Sequence, residues 1–255
     1  EASKTSTLLI VMFIGFLSTT INAQNTIWFD KNWQETSKEN HEYYRPSPKK
    51  IKTGFWIVDY YKNGQIQMEG YSTNKTPNQE VFDGLVMYYH SNGKNFHKAN
   101  YVNGKLDGVR KVFYETGELK EQGKYTEGER NGVWKKYYSN DRIRYQGTFE
   151  HGMEIGTFKY YSAAQSEHPN VVKKYNGKGG VADVSFYSDS GLLMSNGKMD
   201  GKDRVGKWQY YHEDGKTIMS EENYVQGKLE GDYKTFYDSG KPTEVGYYKN
   251  GKLDS

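Results

Sequence analysis

The chain has 255 residues, of which 35 are basic, 32 acidic and none cysteine. Its mean hydropathy is -0.97. Only 35% of it is hydrophobic although 16% is aromatic, with 24 Tyr and 28 Gly. That is too few aliphatic side chains for a thick core, and too many rings and regular glycines for disorder. Without cysteine, a disulfide framework, Cys-ligated metal sites and thiol catalysis are excluded.

Residues 1–23 read as a secretory signal peptide. Lys4 precedes the uncharged run Leu8–Leu17, and small residues lead to Ala23, after which cleavage is expected. The run is short for a bilayer span, which takes roughly 20 residues. The expected protein is therefore exported, periplasmic or at the cell surface, with no integral membrane span after cleavage.

Residues 24–53 form a leader or cap segment. Residues 25–53 hold six basic and four acidic side chains, and 54–255 hold 28 and 27. No domain-sized basic field exists, so nucleic acid is not an expected partner. The one-sign run Arg45, Lys49, Lys50 and Lys52 reads as a solvated linker, with a surface-docking patch as the alternative.

Residues 54–255 are one unit repeated. Glycines recur at 84, 108, 132, 156 and 180, then at 206 and 231. Between them runs an aromatic pair: Tyr60-Tyr61, Tyr88-Tyr89, Phe113-Tyr114, Tyr137-Tyr138, Tyr160-Tyr161, Phe186-Tyr187, Tyr210-Tyr211 and Phe236-Tyr237. Turn dipeptides ending in Gly follow many of the strand-like runs, such as Asn63-Gly64 and Asn103-Gly104. They supply the positive φ of tight hairpins. Eight hairpins predict about sixteen strands in an all-β, elongated, twisted, single-layer antiparallel meander.

Alternation along a strand puts one ring of each pair on each face. The first members share a face with Trp56, Phe158 and Trp208, which predicts a drier side. The second members, all Tyr, predict a wetter one. Trp134 stands three residues before Tyr137 and breaks the phase; a β-bulge in that repeat would restore it. Two insertions, around Thr73–Glu80 and Ser162–Asn170, are expected to project from opposite long edges.

The unit Gly132-Val133-Trp134-Lys135-Lys136-Tyr137-Tyr138, followed by Gln146-Gly147-Thr148-Phe149, resembles the MORN-type repeat variant. So do Asn103-Gly104-Lys105-Leu106-Asp107-Gly108 and Gln226-Gly227-Lys228-Leu229-Glu230-Gly231. Exported Bacteroidetes proteins of this kind are labelled YwqK-family antitoxin-like. The leader, from Trp28-Phe29 to Tyr43-Tyr44-Arg45, resembles the segment found ahead of such repeats. Some relatives continue into a TonB-like domain, whereas this sequence stops at Lys252-Leu253-Asp254-Ser255. The resemblance implies architecture and is nearly silent on biochemistry.

Nothing in the sequence points to catalysis or to a cofactor. The six His are scattered, and no P-loop, dinucleotide fingerprint or nucleophile elbow is present. Asp107, Asp200, Glu230 and Asp254 recur at turns, but equivalent turns lie two strands apart, about 9–10 Å. One Ca²⁺ holds its oxygens at about 2.3–2.6 Å, so these acids read as solvated turn residues.

The first functional reading is therefore an exported, non-enzymatic scaffold for a protein partner or for self-association in the cell envelope. Its candidate interaction face is Tyr61, Tyr89, Tyr114, Tyr138, Tyr161, Tyr187, Tyr211 and Tyr237. The alternative is a binding module for an extended envelope polymer such as a glycan, with those tyrosines as evenly spaced platforms. An antitoxin-like role is a minor alternative, since an export signal sits badly with neutralising a cytosolic toxin. At the sheet ends, residues 25–45 are expected to cover the first repeats. The strand Pro242–Lys249, with Val245 and Tyr247, is the candidate edge for association by strand addition.

Overall fold

The structure, a computed structural model, describes residues 26–164 and 167–254. The expected signal segment, residues 1–23, lies outside them. Among the described residues 21 strands form one antiparallel sheet, and the helical content is a single 3-10 turn, Lys38–Asn40.

The eight expected hairpins are all present. In chain order they pair Gly54–Tyr61 with Ile66–Ser72, Phe82–Tyr89 with Asn95–Val102, and Lys105–Phe113 with Leu119–Thr126. Next come Glu129–Tyr137 with Ile143–Glu150, Met153–Tyr160 with Val171–Tyr175, and Val181–Tyr187 with Leu193–Asp200. Asp203–Tyr211 then pairs with Ile218–Val225, and Gly231–Phe236 with Pro242–Lys249. The strands beyond sixteen are Ile27–Phe29, Tyr43–Arg45 and Lys49–Ile51 before the hairpins, the short Lys228–Leu229, and Lys252–Asp254 at the far end.

The first strand of each hairpin has one equivalent position on a packed face, buried in seven hairpins and half-buried in the third. Its occupants are Ile57, Val86, Trp134, Phe158, Val184, Trp208 and Tyr233, with Arg110 in the third hairpin. A single layer can bury a whole indole only if the neighbouring strand leaves room for it. It does so with glycine. A methyl at Gly123 would overlap the Trp134 ring, at Gly147 the Phe158 ring, and at Gly197 the Trp208 ring. The ring lies across bare backbone, and its N–H is satisfied there: Trp134 Nε1 donates to the Lys124 carbonyl at 3.2 Å, Trp208 Nε1 to that of Lys198 at 3.0 Å.

Arginine closes the packing from above. The Arg130 guanidinium lies 4.4 Å from the Trp134 ring centre, and Arg204 lies 4.7 Å from that of Trp208. Tyr125, Phe149, Tyr210 and Tyr224 fill the sides. Sequence, local backbone and packing thus make one module, a glycine facing an aromatic under an arginine.

The glycines with the period of 24 have a different task. Gly108 and Gly132 sit at φ 112° and 77°, beside the register shifts that let each hairpin join the next. Only glycine adopts those angles at no steric cost.

The aromatic pairs do not occupy one position, and here the structure corrects the expectation. Seven hairpins carry a register shift at the same place, two residues beyond the deep side chain, so Trp134 marks no irregular repeat. Counted from that side chain, Tyr88-Tyr89, Tyr160-Tyr161, Phe186-Tyr187 and Tyr210-Tyr211 are offset by two and three. Tyr60-Tyr61, Phe113-Tyr114, Tyr137-Tyr138 and Phe236-Tyr237 are offset by three and four. Half the pairs are therefore shifted by one residue, and alternation turns them over. Phe113 and Phe236 are on the open face, not on a dry side.

The two insertions leave opposite ends of the strands, as expected. The first, after Ser72, is pinned by the Ser72 hydroxyl, which accepts from Asn74 and Val81 N–H groups. The second is tied by Asn170, whose amide donates to Asp189 and accepts from Ser162 N–H.

One core position is polar without need. His97 stacks on Tyr88 at 4.1 Å, and its buried Nδ1 has no partner. Burial first, and then the nearby Arg110 charge, push its pKa down to about 4. Because the folded-state value lies below the ordinary 6.5, the unfolded chain binds the extra proton first as pH falls. Stability should therefore be full above pH 6.5 and decline as pH drops through 4. A His97→Gln variant should flatten that decline in urea titrations at pH 7 and pH 4.5. A parallel decline in both proteins would show that another group is responsible.

Candidate functional site

The described part of the segment, residues 26–45, is the cover that the sequence suggested for the first hairpin. Tyr43 and Tyr44 pair with Tyr61 and Tyr60, and Ile27–Phe29 adds outside them. Trp33 stacks on Tyr43 at 4.4 Å, and Phe29 is almost fully buried.

Arg45, expected in a solvated linker, is instead 3% exposed. Its Nε and Nη2 meet both Asp59 carboxylate oxygens at 2.6 and 2.8 Å, and its Nη1 reaches Glu80 at 2.5 Å. Glu80 belongs to the first insertion, so one guanidinium ties leader, first hairpin and insertion together. Burial pushes the Asp59 carboxyl upward, and Arg45 works against that rise. Beside it lies a depression of about 210 Å³ lined by Trp33, Gln67, Glu80 and Tyr88 among others. Lys49 and Lys50 of the same run are exposed, but they lie in a strand paired with Gly54–Trp56 and not in a linker.

The eight candidate tyrosines fall into two sets. Tyr61, Tyr114 and Tyr138 start a turn, and each hydroxyl donates to a carbonyl of the next hairpin: Tyr89, Tyr137 and Tyr161, at 2.7, 2.7 and 2.8 Å. His90 and His212 do the same with the carbonyls of Phe113 and Phe236, at 3.2 and 3.1 Å. Ser188 holds this place in the sixth hairpin and is too short to reach. This ladder was not anticipated, yet its signal was in the sequence. His90 and His212 stand three residues before Gly93 and Gly215, just as Tyr61 stands before Gly64.

Tyr89 and Tyr211 lie on the open face, where Tyr89 donates to Glu69 at 2.6 Å and Tyr211 meets Gln209 at 3.2 Å. Tyr161 and Tyr187 are half-buried, and Tyr237 is 61% exposed. No single stripe joins the eight. Several of their hydroxyls are already committed to holding neighbouring hairpins together.

Of the four turn acids, Asp200 and Asp254 are exposed, as expected, and the other two differ. Asp107 accepts from Glu127 N–H at 3.1 Å and Glu230 from Asn250 N–H at 2.6 Å, so each caps the following turn. At the far end Lys252–Asp254 pairs with Tyr247–Lys249, so the last three residues of the candidate edge strand, Tyr247 among them, already have a neighbour. Val245 pairs with Lys234 on the other side and remains 65% exposed.

The open face carries the remaining apolar surface. Leu85, Val109 and Val133 stand at matching positions in three successive hairpins, 47%, 49% and 60% exposed. Among the described residues no helix is long and apolar enough to cross a membrane.

Four segments, 106–127, 130–151, 204–226 and 229–250, match the family model described as MORN repeat variant. Two of these begin at Arg130 and Arg204, the residues that cover the buried tryptophans. Both insertions lie outside the matches. No curated protein matches the chain.

Proposed function

We propose that this chain, which carries MORN repeat variants, is a non-enzymatic scaffold that holds a protein partner in the cell envelope. One observation carries the reading: the buried rings and the tyrosine and histidine ladder that join the hairpins lie on one face, and the other face has few such links, Tyr89 to Glu69 and Gln122 to Tyr137 among them. The other face is left with exposed Leu85, Val109 and Val133, which internal packing does not use. Repetition extends this face along the meander and offers area in place of a cleft. The basic start and apolar run of residues 4–17 support export. Residues 54–255 are the scaffold proper and 24–53 its cap. The glycan alternative is weakened because its tyrosines do not line up.

Crosslinking in the native envelope followed by mass spectrometry tests this reading. It should return a protein partner joined through residues of the open face. Recovery of the chain only from the cytosol, or without any crosslinked protein, would overturn it.

A further inference from the structure

Resting on that reading, the open face also indicates what kind of partner it takes. Directly paired residues form a row across seven adjacent strands: Lys98, Lys111, Gln122, Lys135, Gln146, Lys159 and Val172. Lys98 and Lys111 are direct cross-strand neighbours, an arrangement of like charges that costs stability. Among the described residues no carboxylate forms an ion pair with any of these lysines. Lys124, opposite Val109, adds another unpaired charge to the same face.

The contrast with the later hairpins is informative. There the row reads Ser185, Asn196, Gln209 and Glu221, and Glu221 is met by Lys207 at 2.7 Å. Charges that serve only solubility can be balanced in this way. Those of the third to fifth hairpins are not.

Among these lysines lies a groove of about 380 Å³, lined by Val109, Val133, Gln122, Gly123, Lys124 and Lys135. Its walls are aliphatic and its rim cationic. Aliphatic walls suit a peptide side chain, whereas a sugar ring would be met by an exposed aromatic face. The spacing selects the backbone. Lys111, Lys135 and Lys159 recur every second strand, about 9.5 Å apart. Three residues of a polyproline II helix rise about 9.3 Å, while same-face residues of an extended strand repeat at about 6.6 Å. The sheet turns by roughly 20–25° per strand, so one ligand reaches neighbouring lysines but not the far ends of the row.

We infer that the open face of the third to fifth hairpins binds an acidic, polyproline-II-like protein segment with an acid at every third residue. Its acids meet Lys111 and Lys135, and the groove between Val109 and Val133 takes the intervening apolar side chain.

The test is fluorescence anisotropy with the purified full chain and a labelled peptide of repeating Pro-Pro-Glu. Binding should weaken as salt rises from about 0.05 to about 0.5 M. Repeating Pro-Pro-Gln should not bind, and a peptide of equal charge with Glu at every second residue should bind more weakly. Lys111→Gln with Lys135→Gln should reduce affinity about tenfold, while Lys234→Gln in the same row should leave it unchanged. Circular dichroism checks that the variants are folded, and Val133→Asp provides a second, independent lesion of the groove. Equal binding of both acidic spacings, binding of polygalacturonate in place of the peptide, or indifference to Lys111 and Lys135 would overturn the inference. A crosslinked protein partner mapped to the open face outside the third to fifth hairpins would sink this inference while leaving the scaffold reading intact.

Discussion

Replacing Gly123 by alanine is expected to destabilise the third and fourth hairpins by about 3 kcal/mol, although only one methyl group is added. The added carbon would overlap the Trp134 indole, which is fully buried between Tyr125 and Phe149. Overpacking of this kind costs about 1–3 kcal/mol. A displaced ring also loses its hydrogen bond to the Lys124 carbonyl, worth about 1 kcal/mol more. The second hairpin already shows the coupling: Ala99 replaces the glycine there, and Arg110 replaces the facing aromatic. Gly123→Ala combined with Trp134→Leu should therefore cost less than the two single changes added together. Amide exchange provides the measurement and its internal control. Protection should fall across 119–137 and hold across 193–211, where Trp208 still covers Gly197, because stability in a repeat array is a nearest-neighbour property. Uniform loss along the whole sheet would contradict the modular account.

The modular fold was legible in the sequence because turns and periods are local signals. Gly-terminated dipeptides and a 24-residue recurrence define hairpins whatever lies around them. The position of each ring was less legible. The repeated Tyr-Tyr appearance concealed a shift of one residue between hairpins, and only the register shift beside it tells Tyr60-Tyr61 from Tyr88-Tyr89. The lysine row was not legible at all. Lys98, Lys111 and Lys135 are far apart in the chain and sit among acids of the opposite face, such as Glu121, so the overall balance hides them. Net charge describes solubility and long-range fields; a one-face patch appears only once strand pairing is known.

Arg45→Met should have the other large effect, and it should depend on pH. In the native protein Arg45 compensates two carboxylates, with Asp59 and Glu80 side chains only 2% and 12% exposed. Methionine fills similar volume but leaves both charges without their cation, a loss of roughly 3–5 kcal/mol for a broken buried pair. The cost should fall on the cap, since the same guanidinium joins Tyr43–Arg45, the first hairpin and the insertion that carries Glu80. Burial already raises the Asp59 carboxyl pKa, and without Arg45 it rises further. A carboxyl raised in the folded state is stabilising below its unfolded value of 3.8, and that contribution is lost as pH rises through the folded value. The variant should therefore lie furthest below the parent protein near pH 7 and draw closer to it as pH falls towards 4. Adding Asp59→Leu to Arg45→Met removes one of the stranded charges and should recover much of the loss at neutral pH. Urea midpoints, with protease sensitivity of residues 26–51 as a local readout, measure both effects. A deficit that is equal at pH 7 and pH 4, or a cap that stays protected, would mean that the aromatic stack of Trp33 on Tyr43 holds the cap and the buried ion pairs do not.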